Sequence, residues 1–483
     1  QTANKADENF KKLAAMFPNA VTETIDENGE VVRAIDKDVL MQEINTKVVD
    51  GREERYQFTW PDKKKSVLLA NAPINKTLRP VRDDEMTPTG ADSEGKPYCS
   101  SGSVDFDNTE NLYIEGDNLE VLKLLQETYL GKIKMIYIDP PYNTGNDFVY
   151  ADDFAQSTDE YLANSGQFDE NGNRLFQNTE SNGRFHTDWL NMIYPRLKLA
   201  KDLLSDDGVI FISIDENEIE NLKKVANDIF GEQNFVGAVI WERAFAPKND
   251  AKYFSDSHDY IVVYAKSLAD FHIGKLPRTE EANARYKNPD NDPRGVWTAD
   301  NLTVKTYSAA NDYPITTPGG RVVNPAHGSC WRVSKARFEE LVADNRVYFG
   351  DEGNNVPRLK RFLSEIQDGM TPTTIWKFQD VGHNQEGRQE LKKIFDDKGY
   401  FDGPKPVRLL SRVLQIANTE KDSIILDFFS GSATTAHAVM QLNAEDGGNR
   451  KFIMVQLPEE TDEKSEAYKA GYKNICEIGK ERI

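Results

Sequence analysis

The sequence predicts an α/β fold in which a largely parallel β-sheet is covered by helices on both faces. Two stretches, 111–242 and 376–483, alternate short runs of branched apolar residues with apolar patterns of helical period. Strands that alternate with helices favour parallel pairing, because parallel strands need a crossover connection. The stretch between them, 243–375, breaks this rhythm and is rich in Asn, Asp, Pro, Gly and Tyr. We interpret it as an inserted module.

The individual elements follow from the apolar runs and the turn signals between them. The predicted strands are 112–114, 133–138, 209–214, 235–241, 258–266, 423–427 and 452–457. The predicted helices are 119–129, 189–204, 222–230, 408–416, 434–442 and the charged stretch 462–483. Residues 1–110 are expected to form an N-terminal region that ends in a linker, and 151–187 a polar loop.

Composition excludes several classes of protein. The chain of 483 residues is 38% hydrophobic, and it has no apolar run of about 18 residues that could form a membrane helix. Its three cysteines lie far apart, which excludes a disulfide scaffold and a zinc ribbon and fits a cytoplasmic protein. The net charge of −21 means that nucleic acid would have to bind in a local basic groove. The runs 358–361 and 63–65 could line such a groove, although solvated surface charge is the commoner explanation.

The first candidate site is the segment D-F-F-S-G-S-A-T-T at 427–435, between a predicted strand and a predicted helix. Open α/β sheets bind ligands at the carboxyl ends of their strands, and Gly431 lets the backbone approach a ligand closely. A plain strand–helix connection with a capping Ser or Thr is an equally good explanation. The segment is neither a P-loop nor the G-x-G-x-x-G dinucleotide fingerprint.

The second candidate site is the segment D-P-P-Y-N-T-G at 139–145, which follows the predicted strand 133–138. Two successive prolines make a stiff turn that presents Asp139, the Pro140 carbonyl and the Tyr142 ring together. The two oxygens could accept both N–H groups of a planar amine while the ring stacks on the attached base. A proline-stiffened turn without a ligand is the alternative.

These two segments, in this order, resemble the DNA amino-methyltransferases that use S-adenosylmethionine, in their circularly permuted beta class. The wider sequence resembles the modification (Mod) subunits of type III restriction–modification systems. The matching segments are I-E-G-D-N-L-E-V-L (114–122), I-Y-I-D-P-P-Y-N-T-G (136–145), W-L-N-M-I-Y-P-R-L (189–197), G-V-I-F-I-S-I-D (208–215), K-P-V-R-L-L (405–410) and V-Q-L-P-E (455–459). The resemblance implies a Rossmann-like methyltransferase fold with a D-P-P-Y catalytic half (111–242), a target-recognition insertion (243–375) and a cofactor-binding half (376–483).

The resemblance also implies a role for each matching residue. The target base would be held by Asp139, Pro140, Pro141 and Tyr142. The S-adenosylmethionine site would comprise Asp117, Asn118, Lys405, Pro406, Asp427, Phe428, Ser430, Gly431, Ser432, Thr434, Thr435 and Gln456. Within that set, Asp117 would lie beside the adenine, Lys405 and Pro406 beside the methionine, and Gln456 near the ribose hydroxyls. No metal is expected. One residue departs from the family pattern, because Ala433 stands where glycine is usual.

The resemblance implies an enzyme that methylates adenine N6 in duplex DNA after flipping the base out of the helix. It also implies a homodimer of Mod subunits and a restriction (Res) partner that carries helicase and nuclease activities. An RNA or stand-alone methyltransferase, a non-catalytic specificity subunit and a nucleotide-binding oxidoreductase are the alternatives. The inserted module disfavours the first, the intact motifs the second, and the missing dinucleotide fingerprint the third.

Overall fold

The structure is a computed structural model that describes residues 5–25, 31–44, 58–81, 103, 106, 108–145, 148–150, 175–177, 184–247, 251–366 and 369–483. The chain divides into two compact units. The first combines Gln1–Gly274 with Thr373–Ile483, and the second is Lys275–Pro372. Residues 82–102, which belong to the predicted linker, and most of the predicted loop 151–187 lie outside the described residues.

The first unit is built on one sheet, to which eight strands contribute among the described residues. Numbered along the chain, they are β1 (Leu112–Glu115), β2 (Ile133–Ile138), β3 (Leu204–Ile214), β4 (Phe235–Glu242), β5 (His258–Ala265), β6 (Ile375–Trp376), β7 (Ile424–Asp427) and β8 (Lys451–Gln456). Their order across the sheet is β6-β4-β5-β3-β2-β7-β8-β1. Strand β5 runs antiparallel to both of its neighbours, and the other neighbouring pairs are parallel.

Helices flank this sheet, and the predicted α/β fold is confirmed. They are α1 (Asn118–Tyr129), α2 (Phe185–Leu203), α3 (Ile219–Phe230), α4 (Asn384–Ile394), α5 (Val407–Ile416), α6 (Thr434–Asp446) and α7 (Ile475–Arg482), with short helices at Phe378–Val381 and Glu466–Lys469. All six residues of β2 are buried, and one core cluster joins β2 and β3 with apolar side chains of α1, α2 and α3. No helix in the described ranges combines the length and the apolar character needed to span a membrane.

The N-terminal residues form smaller elements. Helices cover Lys5–Met16, Lys37–Ile44 and Lys63–Asn71, and the strands Val21–Ile25 and Val31–Ile35 pair in antiparallel fashion. The segment that begins the third of these helices packs onto α2, where the Trp60 indole donates to Asn191 Oδ1 at 2.8 Å. A further antiparallel pair joins Phe148–Tyr150 to Leu175–Gln177.

The second unit has a small core of its own. Its strands are Trp297–Asn301, Thr303–Val304, Ile315–Thr316, Val322–Val323, Cys330–Trp331, Val347–Tyr348 and Arg358–Phe362, and its helices are Glu280–Ala284 and Lys335–Ala343. Trp331, Phe338 and Leu341 are central members of the cluster that these elements bury. The sequence predicted a longer irregular module, 243–375, but β5 lies within that range and belongs to the central sheet. The boundary differs because β5 is a short apolar strand within a polar stretch, so composition groups it with the module.

Three further boundaries differ from the predicted ones. Helix α2 begins at Phe185, and β3 extends back to Leu204 through the gap between the predicted helix 189–204 and the predicted strand 209–214. The C-terminal stretch 462–483 is helical only at Glu466–Lys469 and α7. Gly471, at φ +105°, lies between these two helices, in a backbone conformation that a helix does not allow.

Lysines in the two basic runs are buried in ion pairs. Lys63 Nζ lies 3.0 Å from Asp228 Oδ1, and the fully buried Lys360 ammonium pairs with both Asp290 and Asp292. A buried charge needs such a partner, because it has lost its hydration. These two lysines are therefore structural, and the hypothesis that they line a DNA groove is wrong for them.

Candidate functional site

The carboxyl ends of β2 and β7 lie side by side in the middle of the sheet. The two strands are in register at Met135–Ile425 and Ile136–Leu426. Asp139 follows β2 directly, and Asp427 is the last residue of β7. Parallel strands present their carboxyl ends at one edge of a sheet, so both predicted segments lie at the edge where such sheets bind ligands.

The carboxylate of Asp139 is held from two sides. Its Oδ1 accepts a hydrogen bond from the Tyr142 hydroxyl at 2.9 Å, and its Oδ2 accepts one from Lys405 Nζ at 2.5 Å. Burial, together with the charge of Asp139, raises the pKa of Tyr142 well above its usual value, so the phenol remains a donor. The Asp139 side chain keeps 26% of its surface exposed, which leaves room for a ligand to reach the carboxylate.

The proline turn is fixed by residues that the sequence analysis assigned no role. The Trp189 indole of α2 donates to the Pro141 carbonyl at 2.7 Å. Asn143, two residues further along the chain, adopts a left-handed conformation (φ +62°), is fully buried and donates to Glu218 Oε1 at 2.6 Å. Trp189 and Asn143 both lie in segments that match the family. That match is the sequence signal that could have indicated their role.

Hydrogen bonds to the Asp427 carboxylate stabilise the loop that follows β7. Asp427 is 2% exposed, and it accepts hydrogen bonds from the Phe429 amide at 3.1 Å and from the Thr435 hydroxyl at 2.6 Å. The amide of Gly431, at φ +51°, donates to Gln456 Oε1 at 2.7 Å. A Cβ atom on Gly431 would lie 3.1 Å from the Phe401 ring, so a side chain has little room there.

Burial raises the pKa of Asp427 to about 7, and the charge of Asp139 adds to this effect. The hydrogen bonds from Thr435 and the Phe429 amide, together with the charge of Lys405, lower the pKa of Asp427 and offset part of the rise. Desolvation is the dominant cause, because a carboxylate loses hydration when it is buried. At neutral pH the carboxyl therefore lies near its midpoint of ionisation.

This raised pKa predicts a measurable dependence of stability on pH. The folded chain holds the Asp427 proton more tightly than the unfolded chain, whose ordinary pKa is 3.8. Stability from this group is therefore greatest at low pH and falls as the pH rises from 3.8 to about 7. We expect the melting temperature of Asp427→Asn, relative to wild type, to rise through this interval and then level off. Parallel curves for the two proteins would contradict the assignment, and Asp422→Asn at an exposed position is the control.

Arg482 of α7 forms hydrogen bonds with the second half of the same loop. Its Nη1 donates to the Thr434 hydroxyl at 2.7 Å and to Ser432 Oγ at 3.1 Å. Burial lowers the pKa of Arg482 to about 10, so the guanidinium remains charged at neutral pH. Its Nη2 is buried and lacks a hydrogen-bond partner within the described part of the chain. The sequence analysis missed this residue, since it lies outside both motifs.

The start of α1 is tied to the loop backbone. Asn118 Nδ2 donates to the Phe428 carbonyl at 2.8 Å, and the fully buried Arg196 donates through Nε to Asn118 Oδ1 at 2.5 Å. Asp117 caps α1 by accepting the Glu120 amide at 3.1 Å. The structure thus brings the predicted residues of 117–118 against those of 427–435.

Lys405 and Pro406 enter the site from the segment before α5. Pro406 is the residue that precedes this helix, and the Lys405 ammonium lies against Asp139. The resemblance implied that Lys405 would lie beside the cofactor's methionine, so its contact with the D-P-P-Y carboxylate was not expected. Asp259 of β5, 3% exposed, is a second carboxylate at this edge that the sequence analysis missed.

Ala433, which stands where the family pattern has glycine, adopts a strained backbone conformation. It is fully buried at φ +59° and ψ +36°, immediately before α6. The left-handed conformation costs an L-residue about 1–2 kcal/mol, whereas glycine adopts it freely.

We therefore expect Ala433→Gly to stabilise the protein by about 0.5–1 kcal/mol, after the larger entropy loss of glycine on folding is subtracted. Chemical denaturation measures this change. Ala438→Gly, a buried helical position in α6, is the matched control and should destabilise by about 1 kcal/mol or more. Destabilisation of the same size in both variants would contradict the strain at Ala433.

Comparison with known proteins identifies the family. A family model described as DNA methylase matches residues 133–467. The chain belongs to the DNA methylase family. It is 42% identical to the Mod subunit of the type III restriction–modification enzyme StyLTI of Salmonella typhimurium, over 78% of this chain and 57% of that protein. It is 34% identical to the EcoPI Mod subunit of Escherichia phage P1, over 98% of this chain and 74% of that protein.

These relatives place the methylase among type III Mod subunits, as the resemblance predicted. The chain spans a little over half the length of the first relative and about three quarters of the second. Among solved structures, it is similar to the cytosine-N4-specific PvuII DNA methyltransferase, with a TM-score of 0.37 and 12% identity, over 75% of this chain and 90% of that one.

Proposed function

We propose that this chain transfers the methyl group of S-adenosylmethionine to N6 of adenine in duplex DNA, as the modification subunit of a type III restriction–modification system. One observation supports this function above all others. A partly exposed carboxylate in a proline turn, Asp139, lies at the end of the strand next to a closed glycine loop, 427–435. This places an acceptor for an amine beside a loop that suits a nucleoside cofactor.

The turn provides what an exocyclic amine requires. The amine is a poor nucleophile, because its lone pair is delocalised into the ring of the base. Hydrogen bonds from its two N–H groups to Asp139 and to the Pro140 carbonyl would favour a pyramidal nitrogen and orient the lone pair for attack. The Tyr142 ring offers a face on which the flipped base can stack.

The loop after β7 fits S-adenosylmethionine. Gly431 leaves space where a side chain would have little room. Arg482 Nη2, for which no hydrogen-bond partner is found in the described ranges, is a buried donor beside Ser432 and Thr434. A buried donor of this kind suits the cofactor's carboxylate. Asp117 and Gln456 would reach its adenosine part, and Phe428, Ser430 and Thr435 would shape the loop.

The cofactor would supply an activated methyl group on a positively charged sulfur. Transfer would break the sulfur–carbon bond as the nitrogen–carbon bond forms, would leave the bonding electrons on sulfur, and would require the nitrogen to lose one proton. The exposed part of the Asp139 carboxylate can accept that proton and pass it to solvent. The chain's own contribution is to hold the amine in line and to exclude water from the loop.

The alternatives differ in what they bind and modify. A non-catalytic specificity subunit would not bind S-adenosylmethionine in calorimetry, and an RNA methyltransferase would transfer labelled methyl groups to RNA in preference to duplex DNA. We expect binding of the cofactor and transfer to duplex DNA. Absence of cofactor binding, or transfer to RNA alone, would contradict the proposed function.

We further propose that the unit Lys275–Pro372 selects the DNA sequence. Base edges in the major groove are read by Arg, Lys, Asn and Gln side chains. Exchanging 275–372 with a relative of different specificity should exchange the site that is methylated, as mapped by sequencing of modified bases. The exchange must leave out β5, which belongs to the central sheet. An unchanged methylation site would refute this role.

The proposed partners are duplex DNA, a second Mod subunit and a Res subunit with helicase and nuclease activities, in the bacterial cytoplasm. A net charge of −21 makes one chain a poor ligand for DNA, whereas two chains can build one basic groove. Light scattering with and without DNA tests this assembly. A monomer with full specific activity at all concentrations would contradict it.

A further inference from the structure

Lys405 is buried at the position that the target amine would have to reach. Its side chain is 10% exposed. Its ammonium donates to Asp139 Oδ2 at 2.5 Å and lies 5.3 Å from the centre of the Tyr142 ring. The amine of the base requires the same carboxylate, and the base requires the same ring. The ammonium thus occupies the hydrogen-bonding place that the proposed reaction assigns to the substrate.

A second acceptor for this ammonium lies nearby in β5. Strand β5 is antiparallel, so its first residues lie at the same edge of the sheet as the carboxyl ends of β2 and β7. Burial raises the pKa of Asp259 there, while the charges of Lys405 and Arg243 lower it. Arg243 Nε is 2.6 Å from Asp259 Oδ1, in an ion pair that is not aligned as a hydrogen bond within the described residues. A carboxylate has several acceptor positions, so Asp259 can accept a further donor beside Arg243.

Lys405 also interacts electrostatically with the cofactor side of the site. Its positive charge lowers the pKa of Asp427, which closes the loop after β7. The ammonium is thus hydrogen-bonded to Asp139 and acts electrostatically on Asp259 and Asp427 as well. Moving it to a second carboxylate keeps its charge paired, which costs less than leaving a buried charge without a partner.

We propose that Lys405 is a displaceable counter-ion of Asp139, which leaves that carboxylate for Asp259 when the target amine and the sulfonium of the cofactor occupy the site. This inference rests on the proposed function. In-line transfer would require the sulfonium beside the amine that Asp139 binds, and a second positive charge there would be disfavoured. After transfer the sulfur is uncharged, so the ammonium returns to Asp139 and competes with the methylated base. Lys405 thereby acts as a positioning residue that couples the charge of the cofactor to release of the product.

The charge coupling can be measured without any turnover. S-adenosylmethionine carries a charge on sulfur that S-adenosylhomocysteine lacks, so the ratio of their dissociation constants reports the local potential. Isothermal titration calorimetry should show that Lys405→Met shifts this ratio towards S-adenosylmethionine by about fivefold or more at low ionic strength. Lys405→Arg keeps the charge and should retain the wild-type ratio. Lys421→Met, which removes an exposed lysine that binds the Asp446 carbonyl, is the matched control.

The outcomes separate this inference from the proposed function. Failure of the wild-type protein to bind either ligand would contradict the proposed function itself. An unchanged ratio in Lys405→Met, with both ligands bound, would overturn only the role of Lys405. Equal losses of affinity for both ligands would also overturn it, because they would make Lys405 an ordinary cofactor ligand. Lys405→Gln repeats the test if the methionine variant does not fold, as judged by circular dichroism.

Discussion

Asp139→Ala should reduce methyl transfer by about 1,000-fold, within the range that a positioned polar group contributes to catalysis. The substitution removes the acceptor for the target amine and leaves the Tyr142 hydroxyl and the Lys405 ammonium without their partner. The glycine loop follows the neighbouring strand and keeps its own contacts, so affinity for S-adenosylmethionine should fall far less than the rate, by about tenfold at most once Asp139 no longer offsets the Lys405 charge. Single-turnover transfer of a labelled methyl group and calorimetry measure the two effects.

Two further variants control this experiment. Asp207→Ala breaks an Asp–Lys pair of the same length, 2.5 Å, to Lys134 of the same strand β2. Lys134 is at the other end of the strand, so this variant should retain activity. Asp139→Asn keeps the shape of the side chain and should restore folding stability without restoring the rate. A loss of cofactor affinity as large as the loss of rate would show that Asp139 belongs to the cofactor site.

Gly431→Val should weaken S-adenosylmethionine binding by about 30- to 100-fold, which corresponds to about 2–3 kcal/mol. Gly431 has a φ of +51°, and an added Cβ atom would lie 3.1 Å from the Phe401 ring. A β-branched residue adopts this conformation poorly, so the loop must shift away from the position set by Gln456. Calorimetry with S-adenosylmethionine measures the loss.

Gly447→Val separates the effect on the loop from backbone strain alone. Gly447 follows α6 at φ +66°, and apart from its chain neighbours no atom of the described residues lies within 4 Å of an added Cβ. This variant should lose stability by a similar amount but keep its affinity for the cofactor. Wild-type affinity in Gly431→Val, or equal losses of affinity in the two variants, would move the cofactor site away from 427–435.

The sequence predicted the two strand ends because their signals are local. Each consists of an apolar strand followed at once by a short polar motif, and parallel pairing then brings Asp139 and Asp427 to one edge. The residues that fix these motifs could not be predicted in the same way. Arg482 binds Thr434 across 48 positions of the chain, and Lys405 binds Asp139 across 266. Such contacts depend on tertiary packing, on which local patterns carry no information.

The boundary of the inserted module shows the same limit. Strand β5 follows a polar, proline-containing stretch, and its antiparallel direction gives it no crossover helix to mark it as part of the sheet. Composition therefore grouped it with the module, whereas hydrogen bonding places it between β4 and β3. Composition alone therefore could not assign Asp259 of β5 to the site.

The central claim is that Asp139 holds the amine of adenine for methylation. Duplex DNA should be incubated with the protein and with S-adenosylmethionine that carries a labelled methyl group, then digested to nucleosides and separated by chromatography coupled to mass spectrometry. The label should appear in N6-methyladenine with the wild-type protein and should fall to background with Asp139→Ala. Label in N4-methylcytosine, or N6-methyladenine made equally well by Asp139→Ala, would contradict the claim.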